Sequence, residues 1–90
     1  MSPRRYPQMG ARQLIRELRG VFGYETMRQR GSHIRMRTVN RGVHSITIPN
    51  HEPLQMGTLA GIMKDVAKHF DLDEEEVLAR IQRTRERRQH

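Results

Sequence analysis

The sequence predicts an α+β domain in which one antiparallel three-stranded sheet carries helices on one face. Two observations predict this class. The chain of 90 residues suffices for one small domain with a single thin core. Helical spacing of apolar residues occurs first, alternation typical of strands follows over residues 24–49, and helical spacing then returns. The expected order is α-β-β-β-α, followed by a further C-terminal helix.

The first helix is predicted to begin at Ala11. Residues 1–10 contain two prolines and a glycine, and we expect them to form a loose arm ahead of a single domain over residues 11–90. Gly20 and Gly23 mark the end of the helix, because glycine is favoured just beyond a helix C-terminus. One helix face is apolar and comprises Leu14, Ile15, Leu18 and Phe22.

Two strands are expected next, over residues 24–30 and 33–39, with Gly31-Ser32 as the turn between them. Apolar and polar residues alternate clearly along the second strand, and this alternation assigns each side chain to one face of the sheet. The register of the first strand stays open. Its two apolar residues, Tyr24 and Met27, are three positions apart and would lie on opposite faces of a regular strand.

A third strand is expected over residues 43–49, after a type I turn, Asn40-Arg41-Gly42, in which the glycine takes the left-handed position. This turn sets the register between the second and third strands. If Val39 faces Val43, the buried pairs are Met36 with Ile46 and Ile34 with Ile48. The other face then pairs Arg37 with Ser45, Arg35 with Thr47, and His33 with Pro49.

A second helix is predicted from about Gly57 or Thr58 to His69, with Thr58 as its N-cap. Its apolar stripe comprises Leu59, Ile62, Met63, Val66 and Phe70. A C-terminal helix over about residues 72–88 is expected to begin with a capping box formed by Asp71 and Glu74. The apolar positions of this last helix are Val77, Leu78 and Ile81.

The charge of the chain indicates a polyanionic partner. Lys and Arg number 17 against 10 Asp and Glu, for a net charge of +7. The excess lies in residues 1–51, which hold ten arginines and only Glu17 and Glu25 as acidic residues. A guanidinium group presents a planar fork of donors that suits phosphate, so a nucleic acid is the expected partner.

The composition also excludes several classes of function. Without cysteine, the chain has no disulfide, thiolate nucleophile or zinc–thiolate site, and a cytoplasmic location is expected. No apolar run is long enough to span a membrane, and the N-terminus does not resemble a secretory signal. The carboxylates of residues 71–76 and the remaining histidines lack metal-ligand spacing, so neither a metal nor another cofactor is expected.

The exposed face of the predicted sheet carries a candidate site, which comprises His33, Arg35, Arg37, Ser45 and Thr47. Cleavage of an RNA phosphodiester needs a base, an acid and positive charge at the phosphate, and imidazole suits proton transfer near neutral pH. His51 follows Pro49 closely enough to fold back towards His33. From the residues alone, an exposed histidine on a solvated strand is the favoured interpretation, and a catalytic histidine is the alternative.

Three segments of the chain, between Ala11 and Phe70, resemble the HicA (YcfA-like) family of toxin mRNA interferases. The first is ARQLIRELRGVFGY, which leads into RQRGSH ending at His33. The second is ITIPNH, which ends at His51, and the third is Gly-Thr-Leu at residues 57–59. Their order and spacing make the set more specific than any one segment.

This resemblance implies a fold similar to double-stranded-RNA-binding domains, metal-independent cleavage of mRNA, and a HicB-type antitoxin that covers the site. It implies that His33 is the catalytic residue, while Ile34 stands where many members carry a second histidine. His51 matches the Pro-x-His of the family. The candidate RNA contacts are Arg28, Arg30, Gly31, Ser32, Arg35, Arg37, Thr47 and His51.

Two other functions remain open from the sequence. A non-catalytic RNA-binding module would need only basic side chains on the same fold, and its binding would depend strongly on salt. A protein-interaction or operator-binding role would use the basic surface against an acidic partner or DNA, although no recognition helix supports direct reading of DNA.

Overall fold

The computed structural model describes residues 6–88, and it confirms the predicted α+β class. The elements in chain order are α1 (Ala11–Phe22), β1 (Glu25–Arg30), β2 (His33–Thr38), β3 (His44–Pro49), α2 (Met56–Phe70) and α3 (Glu74–Arg88). The strands form one antiparallel sheet in the order β1-β2-β3. This arrangement, α-β-β-β-α with an added C-terminal helix, is that of a double-stranded-RNA-binding-like domain.

The segment before α1 is packed in its described part and not loose as predicted. Tyr6 is 7% exposed and Met9 is 1% exposed, so both side chains belong to the core. The Met9 carbonyl accepts a hydrogen bond from the Leu54 amide at 2.9 Å, and the Tyr6 hydroxyl donates to the Glu74 carboxylate. Burial of two large side chains offsets the loss of backbone freedom in residues 6–10. Residues 1–5 of the predicted arm lie outside the described residues.

Helix α1 ends where the sequence predicts, at a glycine whose backbone adopts the left-handed conformation. Gly23 has φ 73° and its amide donates to the Leu18 carbonyl, as in a glycine C-cap. The carbonyl of Phe22 accepts further hydrogen bonds from Thr38 Oγ1 at 3.1 Å and from Asn40 Nδ2 at 3.2 Å. The end of α1 is therefore anchored to the end of β2.

The predicted register between β2 and β3 is confirmed. Ile34 pairs with Ile48 and Met36 with Ile46, and all four side chains are buried beneath the helices. Because side chains alternate along a strand, the intervening residues of β2 and β3 must face away from this core.

The turn between β2 and β3 differs from the predicted type I geometry. The Gly42 amide donates to the Val39 carbonyl at 3.2 Å, and both Arg41 (φ 59°) and Gly42 (φ 97°) are in positive-φ conformations. A positive φ at the third residue of a β-turn belongs to type II and not to type I. Val39 and Val43 lie outside the strands and are exposed, so they do not extend the buried ladder.

Strand β1 pairs with β2 through a bulge, which explains why its parity could not be read from the sequence. Thr26 is opposite Met36 and Arg28 is opposite Arg35, so Met27 is the extra residue. Tyr24, before the bulge, is fully buried, whereas Met27 is 49% exposed. Before the bulge the odd-numbered residues lie on the open face of the sheet, and after the bulge the even-numbered residues do.

Helices α2 and α3 begin at other residues than predicted. α2 starts at Met56 after Gln55, and no side chain caps it, so Thr58 is inside the helix and is not its N-cap. Asp71 is the left-handed C-cap of α2, with φ 55°. The N-terminus of α3 is capped by Asp73, whose Oδ1 accepts from the Glu76 amide at 2.8 Å, so the predicted Asp71–Glu74 capping box is wrong.

The helices cover a single face of the sheet. α1 and α2 both contact β3, and α3 packs against α1 and α2 with Val77 and Ile81 fully buried. None of the helices in residues 6–88 combines the length and apolar character needed to cross a bilayer.

Candidate functional site

The face of the sheet that the helices leave open carries a group of cationic side chains. In the observed register Arg30 lies opposite His33, and Arg28 lies opposite Arg35, which in turn lies opposite Thr47. Arg37 follows at the next outward position of β2, between Glu25 and Ser45. We call the exposed set Arg28, Arg30, His33, Arg35, Arg37 and Thr47 the cationic face.

The β1 bulge is what brings the arginines of β1 to this face. In an unbroken strand Arg28 and Arg30 would share the parity of the buried Tyr24 and would point towards the helix layer. Because Met27 is an extra residue, they share a face with Glu25 and lie beside β2 instead.

The cationic face lowers the stability of the folded protein when no anion is bound to it. Arg28 and Arg35 form a cross-strand pair of like charges, and such pairs destabilise a sheet. Arg30 stands opposite His33, which adds a second repulsion whenever the imidazole is protonated. An anion placed between these side chains removes the repulsion, so the arrangement favours binding of phosphate groups.

Five of the predicted side chains line one shallow cavity of about 270 Å³, namely Arg28, Arg30, His33, Arg35 and Thr47. A water molecule occupies roughly 30 Å³ of liquid, so the cavity admits a group of several non-hydrogen atoms. All five side chains are exposed, which leaves the cavity open to a long polymer.

Within the cavity, one arginine is held by a side-chain hydrogen bond. Arg35 Nη1 donates to Thr47 Oγ1 at 3.0 Å, across the β2–β3 pair. The bond holds the guanidinium of Arg35 beside Thr47 of β3.

The turn before β2 positions His33 at the rim of the cavity. Gly31 has φ 54°, a conformation that glycine adopts without strain, and its carbonyl accepts from Gln29 Nε2 at 3.1 Å. The Ser32 carbonyl accepts from the Asn50 amide at 2.6 Å, which ties the turn to the segment after β3. His33 is the first residue of β2, so the turn before it and the strand pairing after it both hold its backbone in place.

The other predicted contacts, Gly31, Ser32, Arg37 and His51, do not line this cavity. His51 is exposed, and its backbone is fixed through the Ala11 amide, which donates to the His51 carbonyl at 3.0 Å. His51 thus lies beside the start of α1, and its predicted contact with RNA stays a prediction.

A second cluster of polar side chains, on the helix side of the sheet, was not predicted from the sequence. The Tyr24 hydroxyl and His44 Nδ1 are 2.7 Å apart, and His44 Nε2 is 3.3 Å from Asp65 Oδ1. The His44 and His69 rings stack with centroids 4.5 Å apart and an interplanar angle of 11°. These residues come from distant segments, so no local spacing pattern could have revealed them.

This second cluster joins the sheet to α2. Burial, and to a lesser degree the charge of Asp65, raise the pKa of the Tyr24 phenol well above its usual value, so the hydroxyl keeps its proton. Tyr24 is fully buried, so its hydroxyl is inaccessible to a polymer. Within residues 6–88, no group of three or more His, Asp or Glu side chains is arranged to hold a metal ion.

Comparison with known proteins gives one family. The family model described as HicA toxin of bacterial toxin-antitoxin matches residues 11–67, which is more than half of the chain and runs from the start of α1 into α2. No curated protein and no solved structure matches the chain significantly.

Proposed function

This chain belongs to the HicA toxin family of bacterial toxin–antitoxin systems, and we propose that it is an endoribonuclease that cleaves mRNA without a metal. The observation that carries the proposal is the open cavity in which His33 lies among Arg28, Arg30 and Arg35. A proton-transfer group next to several permanently charged arginines meets the minimal requirement for phosphodiester cleavage.

In the proposed reaction His33 moves a proton, as general base or general acid. The arginines of the cationic face hold the phosphate and stabilise the negative charge that develops on its oxygens. The backbone amides of Gly31 and Ser32, together with Arg37 and His51, extend the proposed contacts with RNA. Attack by the 2′-hydroxyl would leave a cyclic phosphate, which can hydrolyse further, and would spare DNA. Attack by water would not require the 2′-hydroxyl, so DNA would also be cut.

Membership of this family implies an antitoxin partner. We propose that the partner is a HicB-type antitoxin, that it covers the cationic face, and that both proteins act in the cytoplasm. An acidic partner surface would relieve the cross-strand repulsion of Arg28 and Arg35 much as phosphate does.

The test is incubation of the purified protein with RNA in EDTA, alongside a His33→Ala variant. Loss of a general acid or base lowers the rate by about 10²–10⁴-fold, so we expect the variant to bind RNA but to cleave it at least a hundredfold more slowly. Unfolding curves of both proteins serve as the control for folding.

Two results would contradict the proposal. Cleavage that survives in the His33→Ala protein would remove His33 from the reaction. Tight, salt-dependent RNA binding by both proteins with no cleavage would favour the alternative function, a non-catalytic RNA-binding module, which the double-stranded-RNA-binding-like fold also supports.

A further inference from the structure

The four arginines of the cationic face differ in how firmly their side chains are held, and this difference separates their roles. We propose that Arg35 is the arginine that contacts the phosphate undergoing cleavage, and that Thr47 is its positioning residue. This inference rests on the proposed ribonuclease function. Arg28, Arg30 and Arg37 then act mainly as a source of attraction for the RNA chain.

The first observation is the hydrogen bond from Arg35 Nη1 to Thr47 Oγ1, at 3.0 Å. Among the described side chains, neither Arg28, Arg30 nor Arg37 has a hydrogen bond or ion pair of this kind. An arginine side chain that is already oriented loses less conformational entropy when it binds, and a preorganised donor stabilises developing charge more effectively than a mobile one.

The second observation is the place of Arg35 in the sheet. It lies on the central strand, two residues after His33 on the same face, so the two Cα atoms are about 7 Å apart. A phosphate in the cavity that both residues line can contact the imidazole and the guanidinium together.

The arginines of β1 lie in a different setting. β1 is an edge strand whose six residues are all exposed, so the side chains of Arg28 and Arg30 are free to follow the RNA backbone. Their contribution is therefore expected in the affinity for RNA and in its salt dependence.

The test compares Thr47→Val, which removes the acceptor, with Thr47→Ser, which keeps it. We expect Thr47→Val to slow single-turnover cleavage of bound RNA about tenfold, as expected for loss of one hydrogen bond to a charged donor. The dissociation constant for a 2′-deoxy oligonucleotide, measured in the His33→Ala background to prevent cleavage by either nucleophile, should change less than twofold. Thr47→Ser should restore the rate. Arg28→Gln should raise the dissociation constant for the oligonucleotide by a larger factor than it lowers the rate of cleavage.

Thr26→Val is the matched control. Thr26 Oγ1 accepts from Arg19 Nη2 at 3.3 Å, so this change also removes an arginine–threonine bond on the sheet, but outside the cavity. We expect it to leave both rate and affinity unchanged. The proposal is overturned if Thr47→Val impairs only affinity, or if Thr47→Ser is as slow as Thr47→Val.

A readout that does not need cleavage separates this inference from the proposed function. The Nε–H NMR signal of Arg35 should shift when the 2′-deoxy oligonucleotide is added, and in Thr47→Val it should be broadened and shift less. If the wild-type protein binds RNA without cutting it, the ribonuclease function fails while this signal still reports whether Arg35 contacts phosphate. An Arg35 signal that does not respond to the oligonucleotide overturns the inference.

Discussion

At the scale of single residues, the hydrogen-bond partners of His44 and His69 determine which ring nitrogens donate. A carboxylate and a carbonyl only accept hydrogen bonds, so His44 Nε2 donates to Asp65, and His69 Nε2 donates to the Asn40 carbonyl at 2.9 Å. His44 Nδ1 accepts from the protonated Tyr24 hydroxyl. These two imidazoles are engaged in joining the sheet to α2, whereas His33 lies in an open cavity.

The raised pKa of Tyr24 predicts a loss of stability at alkaline pH. The folded protein keeps the phenolic proton above the unfolded pKa of about 10, so this contribution is complete below pH ~10 and declines as the pH rises towards the folded pKa. Tyr24→Phe removes one hydrogen bond and should cost about 1 kcal/mol at pH 7. Urea unfolding between pH 7 and pH 11 should show a shallower alkaline decline for Tyr24→Phe, and an identical decline in both proteins would contradict this assignment.

At the scale of elements, the end of α1 depends on the absence of a side chain at Gly23. A Cβ atom there would lie 2.3 Å from Asn40 Nδ2, in a backbone with φ 73°. We expect Gly23→Ala to lower the free energy of unfolding by about 1–3 kcal/mol. Gly61→Ala is the matched control, because no atom lies within 4 Å of the added Cβ on α2, and it should stabilise by about 0.5–1 kcal/mol. Chemical denaturation that gives both changes the same sign would contradict this reasoning.

Helix α3 lies beyond the matched family segment, residues 11–67, but belongs to the core. Val77 and Ile81 are fully buried against α1 and α2. Ile81→Ala should therefore cost about 2–5 kcal/mol in unfolding free energy, measured by urea titration. A cost below about 0.5 kcal/mol, the usual range of a surface change, would mean that α3 only rests on the surface.

The parts of the fold that local pattern governs were predictable, and the parts that depend on distant contacts were not. The β2–β3 register follows from alternation, which is unbroken from His33 to Thr38. The register of β1 does not, because one extra residue, Met27, changes the parity within the strand. The sequence likewise predicted the cavity residues of β2, whereas the Tyr24–His44 contact depends on packing between separate segments.

At the scale of the whole molecule, the position of the positive charges, and not only their net sum of +7, predicts how RNA binding responds to salt. Each phosphate contact on a single strand contributes about −0.7 to the slope of log K against log salt concentration. Arg30→Gln should therefore make the slope shallower by about 0.7, as measured by RNA binding at several salt concentrations. Lys64→Gln, which removes one positive charge from α2 away from the cationic face, is the control and should leave the slope unchanged. Equal effects of the two changes would mean that only total charge matters.

The bulge in β1 also determines which changes of chain length this strand can accept. Deleting Met27 would convert the bulge into regular pairing and leave Tyr24, Arg28 and Arg30 on their present faces. Deleting Gln29 instead would make the two arginines adjacent, so that one of them would turn away from the open side of the sheet. Insertions and deletions are therefore constrained by position here: loss of one residue at the bulge keeps both arginines on the open side of the sheet, and loss of the residue between them does not.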